Sequence, residues 1–175
     1  MRQRLREGTT VPSFRNRKTM VGADDIKALV VEHFQGSNCF LVEVKLSPSR
    51  LVVAVDSPTG ITIDQCSGLS RFLINTLEDS GFLETHEIEV GSPGMDSALM
   101  VPQQYLRRIG RELRVFDAES RETTGVLKEV RPDAIVLLET KTRKENKKKI
   151  TTEHLHEIPF AQIREAKLII NYKFK

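Results

Sequence analysis

The spacing of apolar residues changes character once along this chain, and that change limits the folds open to it. Before residue 100, helical and strand periods alternate. Ile26, Leu29, Val30 and Phe34 recur at intervals of three and four, behind an Ala23-Asp24-Asp25 entry. Carboxylates there suit the positive end of a helix dipole. Runs 40–46 and 51–56 read as strands joined by a Ser47-Pro48-Ser49 turn, with Phe40, Val42, Val44 and Leu46 on one face. After the Ser57-Pro58-Thr59-Gly60 turn, Asp64 is expected to cap a second helix running to about Glu78. Cys66, Leu69, Leu73 and Leu77 form its apolar stripe. Gly68 inside that helix costs about 1 kcal/mol in propensity, which a close packing contact would explain. Ser80-Gly81 ends the helix, and His86-Glu87-Ile88-Glu89-Val90 reads as a third strand. The resulting order is α-β-β-α-β, a helix-on-sheet unit.

Beyond residue 110 the helical period disappears. Pro102 opens a short helix whose apolar face is Tyr105, Leu106 and Ile109 and whose stop is Gly110. Runs 113–116, 124–127, 134–138, 154–158 and 167–170 then read as short strands between polar turns. Such a series predicts a small antiparallel barrel of the SH3-like or Sm-like kind, with residues 159–163 as its single 3₁₀ turn. The expected class is α+β: an α/β domain over 21–100, a linker helix over 101–111 and an SH3-like barrel over 112–175. Residues 1–20 read either as a basic disordered arm or as a mis-assigned start, with translation beginning at Met20.

Charge divides along the same lines. Residues 1–20 hold six basic and one acidic side chain, residues 21–100 four and twelve, and residues 101–175 seventeen and eleven. The net +3 therefore conceals segments of +5, −8 and +6, whose ends prefer different partners. Hydrophobic residues make up 39%, enough for a core, yet no apolar run approaches the roughly 20 residues of a membrane helix. A soluble, cytoplasmic monomer is expected, without membrane contact. Cys39 and Cys66 read as reduced core thiols, and the four histidines are scattered, so neither metal nor cofactor is expected.

No nucleophile elbow, phosphate loop or zinc-protease motif occurs, and adjacent acidic pairs do not converge on a reacting atom. A binding protein is expected rather than an enzyme. Its candidate contacts are of two kinds. Gly91-Ser92-Pro93-Gly94 combines a fixed φ with permissive glycines in a tight bend. A corner in the chain and a partner-facing site are equally served by it. The basic run Lys141, Arg143, Lys144, Lys147, Lys148 and Lys149 falls between two strands, on an expected hairpin loop. With Arg107, Arg108, Arg111 and Arg114 it favours phosphate contact over reading of bases, since exposed aromatics are scarce.

In order along the chain stand Asp56, Gly60-Ile61-Thr62-Ile63-Asp64-Gln65-Cys66 and Ser70. Glu89-Val90-Gly91-Ser92-Pro93-Gly94-Met95-Asp96 with Leu99 follows, then Tyr105, Ile109-Gly110, Gly125, Leu127 and Ile158-Pro159-Phe160 with Ile163 and Ala166. With these residues the chain resembles the RimP family of ribosome maturation factors over about residues 22 to 175. The basic stretch and the Ile-Ile-Asn-Tyr-Lys-Phe-Lys ending are similar to the version in Bacteroidetes-type bacteria. The resemblance implies an α/β domain followed by the barrel, and a non-catalytic cytoplasmic factor. It implies binding to the immature small ribosomal subunit in late assembly. The implied partners are small-subunit rRNA and a ribosomal protein near the decoding centre, contacted through the barrel. The chain departs from the family at Gly91, usually serine, and at Ser97-Ala98, commonly Arg-Pro. The candidate binding residues are Ser92, Pro93, Gly94 and Asp96 in the turn, Arg107 and Arg108 before the barrel, and Lys144, Lys147, Lys148 and Lys149. The alternative is a general RNA-binding Sm-like regulatory module.

Overall fold

The computed structural model describes residues 21–145 and 148–170. Its elements are α1 (Ala23–His33), β1 (Phe40–Ser47), β2 (Arg50–Asp56), α2 (Ile63–Leu77), β3 (Glu87–Gly91), α3 (Pro102–Leu106), β4 (Glu112–Asp117), β5 (Glu122–Val130), β6 (Ala134–Glu145), β7 (Lys148–Pro159) and β8 (Ile163–Leu168). Single 3₁₀ turns stand at Glu78–Ser80, Phe82–Glu84 and Phe160–Gln162, the last where the sequence predicts one.

The first sheet has the order β1-β2-β3, antiparallel between β1 and β2 and parallel between β2 and β3. Strict alternation on β2 buries Leu51, Val53 and Val55 against Ile26, Val30, Leu69, Leu73 and Leu77 of the two helices. β1 departs from the expected face. Its register shifts between Leu41 and Glu43, so the extra residue inverts the parity of the strand. Leu41, Val44 and Leu46 meet the core, and Val42 lies on the opposite side with Val52 and Ala54.

Two expectations for α2 are corrected. Its cap is Thr62, not Asp64. Thr62 Oγ1 accepts from the Gln65 N–H at 3.2 Å while Gln65 Oε1 accepts from the Thr62 N–H at 2.8 Å. This reciprocal pair satisfies two free donors at once, which Asp64 inside the first turn cannot do. Beyond its own helix turn and chain neighbours, Gly68 has no described atom within 4 Å of where a Cβ would stand, so close packing does not account for it, and nothing in the structure does.

In α3 only Tyr105 of the expected apolar face is buried, while Leu106 and Ile109 are about half exposed. The helix ends at Leu106, so the helical period does not continue far enough to present a face. The other buried residue of the helix is Gln104, whose Oε1 accepts from the Met100 N–H at 2.7 Å and the Val101 N–H at 3.2 Å.

The second sheet is antiparallel in the order β7-β6-β5-β4-β8. Its inner face carries Leu113, Val115, Leu127, Ile135, Leu137 and Ala166, joined by Leu99 and Tyr105. Register shifts at Leu127/Glu129 and Phe116/Asp117 interrupt its ladders. Gly125 permits the closest approach: a Cβ there would stand 2.7 Å from the Leu138 carbonyl oxygen. The last strand begins earlier than expected. The Phe160–Gln162 turn delivers the chain directly into Ile163, opposite Asp117, and the strand ends at Leu168. No helix among the described residues is long and apolar enough to cross a membrane.

Candidate functional site

The predicted binding residues fall in three places. The first is the exit from β3. Gly91 is still in the strand, opposite Ala54, and neither Gly91 nor Gly94 takes a positive φ. The bend therefore lies three residues beyond its expected place, where the Ser97 N–H donates to the Gly94 carbonyl at 3.0 Å. Glycine serves here by size: a Cβ on Gly94 would stand 3.3 Å from Ser97 Oγ. Ser92, Pro93 and Asp96 border a cavity of about 560 Å³ between the outer face of the first sheet and the end of β8. Val42, Val52 and Ala54 form its apolar floor, and the Lys45–Glu43 and Lys167–Glu165 ion pairs, at 3.0 and 2.6 Å, stand at its margins.

The second place is α3. Arg107 reaches back to the first sheet and donates from Nη1 to Asp56 Oδ1 at 3.1 Å. Asp56 is buried and also accepts the Ser57 N–H at 2.8 Å, so one guanidinium and one amide hydrogen-bond its charge. Gly60, at φ +94°, lets the loop pass under the guanidinium, with a Cβ position only 3.1 Å from Arg107 Nη2. Arg108 turns partly inward. Burial, followed by the neighbouring Arg107 charge, lowers its pKa from the usual guanidinium value, with Asp56 opposing. Its Nε is buried without a hydrogen-bond partner among the described residues. The two arginines thus differ: Arg107 joins the chain's two halves, and Arg108 holds an unsatisfied donor.

The third place is the β6–β7 pair. The basic run is not a loop: β6 continues to Glu145 and β7 starts at Lys148, with Lys144 opposite Lys149 and Arg143 opposite Ile150. Thr142, Ile150, Thr151 and Thr152 supply the β-branched residues that favour pairing, and the backbone ladder needs no apolar face to persist. Lys147 lies outside the described residues. Lys141 pairs with Glu139 at 2.9 Å, and His156 Nε2 stands 2.9 Å from the same carboxylate. The hydrogen bond from Lys141, followed by that from His156, holds the Glu139 carboxyl below its usual pKa. No metal-binding group of three or more ligands occurs among the described residues.

Asp56 and Gly60 stand out in the sequence only as parts of a motif. The contact of Asp56 with Arg107 spans 51 positions, and no periodic signal in the chain links residues so far apart.

A family model described as the RimP N-terminal domain matches residues 29–96. A protein named ribosome maturation factor RimP from Cytophaga hutchinsonii is 32% identical over 161 residues, covering 85% of this chain and 96% of the relative. Its namesake from Porphyromonas gingivalis is 36% identical over 155 residues, covering 86% of this chain and 100% of that protein. Another, from Chlorobium limicola, is 36% identical over 126 residues, covering 61% and 72%.

Proposed function

Because this chain belongs to the RimP family of ribosome maturation factors, we propose that it binds the immature small ribosomal subunit in the cytoplasm and assists its late assembly without catalysis. The observation that carries this reading is the match to such factors over nearly their whole length.

The charge division supports two contact surfaces. The acidic half would engage a basic ribosomal protein or hold the chain in orientation, and the barrel would also offer a surface to the ribosomal protein near the decoding centre. The basic half would meet small-subunit rRNA, through Lys144, Lys147, Lys148 and Lys149, with backbone phosphates as the ligands. Arg108 adds a donor close to this half. Ser92, Pro93, Gly94 and Asp96 would serve a partner at the cleft, and Arg107 would set the angle at which the two halves are presented. We take the second sheet as an SH3-like barrel, supported by its single core, its 3₁₀ turn and the register shifts that bend its strands. We place the divisions at 21–100, 101–111 and 112–175 and take the protein as a monomer.

Fractionation on sucrose gradients tests the reading. The protein should comigrate with free small subunits, and its deletion should accumulate immature ones. A protein that never enters those fractions, with a normal subunit profile after deletion, ends it. The long basic β6–β7 pair also suits a general RNA-binding module. Equal affinity for small-subunit rRNA, assembling subunits and unrelated single strands would favour that alternative.

A further inference from the structure

We propose that the free edge of β3 and the adjoining face of α2 form a groove that takes an extended peptide of alternating apolar and basic residues as a fourth strand of the first sheet. The proposal deepens the reading of the acidic half as the seat of a basic ribosomal protein, and it rests on that reading for the partner's identity.

The backbone of β3 sets the edge. Glu87 donates its N–H to the Ser49 carbonyl at 3.0 Å, so Glu87, Glu89 and Gly91 turn their backbone groups toward β2. Alternation turns those of Ile88 and Val90 outward, and β3 pairs with β2 alone among the described strands. The two edges of this sheet are managed differently. The β1 edge carries a bulge and the exposed Lys45, devices that discourage strand addition. β3 keeps continuous register from Glu87 to Gly91, with neither bulge nor proline.

Beside that edge lies a cavity of about 620 Å³, bordered by Ile61, Ile63, Cys66, Ser67, Ile88 and Val90, with Arg71 on its helix side, a cation that favours apolar over basic side chains there. Ile63 is 85% exposed, the most exposed large apolar side chain among the described residues. A strand added here would follow the pleat of β3. Its residues opposite Ile88 and Val90 would point into the apolar groove against α2. Its alternate residues would point to the other face, beside the exposed Glu87 and Glu89. Main-chain hydrogen bonds would supply affinity, and the two faces specificity. Arg50 reaches those two carboxylates only at 3.8 Å, leaving room for a closer cation. The same charges disfavour a second copy, since a dyad at this edge would set Glu87 and Glu89 against themselves.

The test uses the full chain and a short synthetic peptide alternating lysine and valine, followed by backbone amide NMR. Binding should slow hydrogen exchange at Ile88 and Val90 and shift Ile63 and Ser67. Ser67 is exposed on α2, so Ser67→Trp should fill the groove without unfolding the helix and should weaken binding by at least about tenfold. The double variant Glu87→Lys with Glu89→Lys should reject this peptide and accept one alternating glutamate and valine. Undiminished binding by Ser67→Trp, or shifts confined to the second sheet, would overturn the groove. Concentration-dependent protection of Ile88 and Val90 without peptide would assign the edge to a second copy. Release of that protection on deleting residues 1–20 would assign it to the chain's own arm. Either result also overturns the proposal. Comigration with small subunits but no peptide binding removes the groove and leaves the assembly reading standing. Peptide binding without comigration removes the assembly reading alone.

Discussion

Arg107 Nη1 stands 3.1 Å from Asp56 Oδ1, tying the helix that leads into the second sheet to the end of β2 in the first. The carboxylate is nearly enclosed, with an 8% exposed side chain, whereas the guanidinium is 34% exposed. Removing the cation would leave a buried carboxylate with the Ser57 N–H as its remaining hydrogen bond among the described residues and with Arg108 as the nearby charge. Breaking a fully buried pair costs several kcal/mol, but solvent at Arg107 screens this one.

Arg107→Ala is therefore expected to destabilise the protein by about 1–2 kcal/mol in urea denaturation. Asp56→Asn keeps an acceptor for Ser57 and should cost less. A double-mutant cycle of the two isolates the pair, and a coupling energy of zero would remove it as the link between the halves. Small-angle scattering of Arg107→Ala should show a wider spread of dimensions.

Two glycines should respond to alanine with opposite sign. Gly125→Ala forces a Cβ to within 2.7 Å of the Leu138 carbonyl oxygen, a backbone atom fixed in the β5–β6 ladder. A destabilisation of about 1–3 kcal/mol is expected. Gly68→Ala meets no described atom within 4 Å beyond its own helix turn and chain neighbours and lies in a helix interior, so it should stabilise by about 0.5–1 kcal/mol. Thermal denaturation of the two variants decides both.

Replacing Lys147, Lys148 and Lys149 by Ala should lower affinity for the small subunit and leave stability unchanged. The log–log salt dependence of binding should flatten by about one unit for every phosphate that the variant no longer neutralises. Filter binding across a salt series measures this. An unaltered slope would exclude these residues as phosphate ligands.

Burial raises the Tyr105 pKa to about 12. The ring packs edge-on against Phe160, with centroids 5.3 Å apart, inside the second core. The unfolded chain releases this proton near 10, so stability present below pH 10 should be lost as pH rises through 12. In a Tyr172→Phe background, ultraviolet titration should find Tyr105 ionising near 12, and Tyr105→Phe should remove this part of the alkaline destabilisation. A midpoint near 10 would contradict the burial.

Most local structure was legible because it obeys local rules. The helical spacing around Ile26 and Leu69, the strand runs from Leu51 and Ile135, and the 3₁₀ turn at Phe160 all lie where periodicity and turn chemistry put them. The failures share a cause. The β1 bulge is set by pairing with β2, the Thr62 cap by which side chain reaches Gln65, and the length of β6 and β7 by a ladder that charged residues can sustain.

By itself, then, the sequence determined the kind and order of the elements, the division of charge and the family, because each depends on residue type and spacing along the chain. The tertiary structure alone decided that Arg107 meets Asp56, that Gly125 stands against Leu138, and that β3 pairs with β2 alone among the described strands, beside α2. Those are contacts between distant segments, and their energies come from desolvation and close approach, which exist only once the sheets and helices have packed.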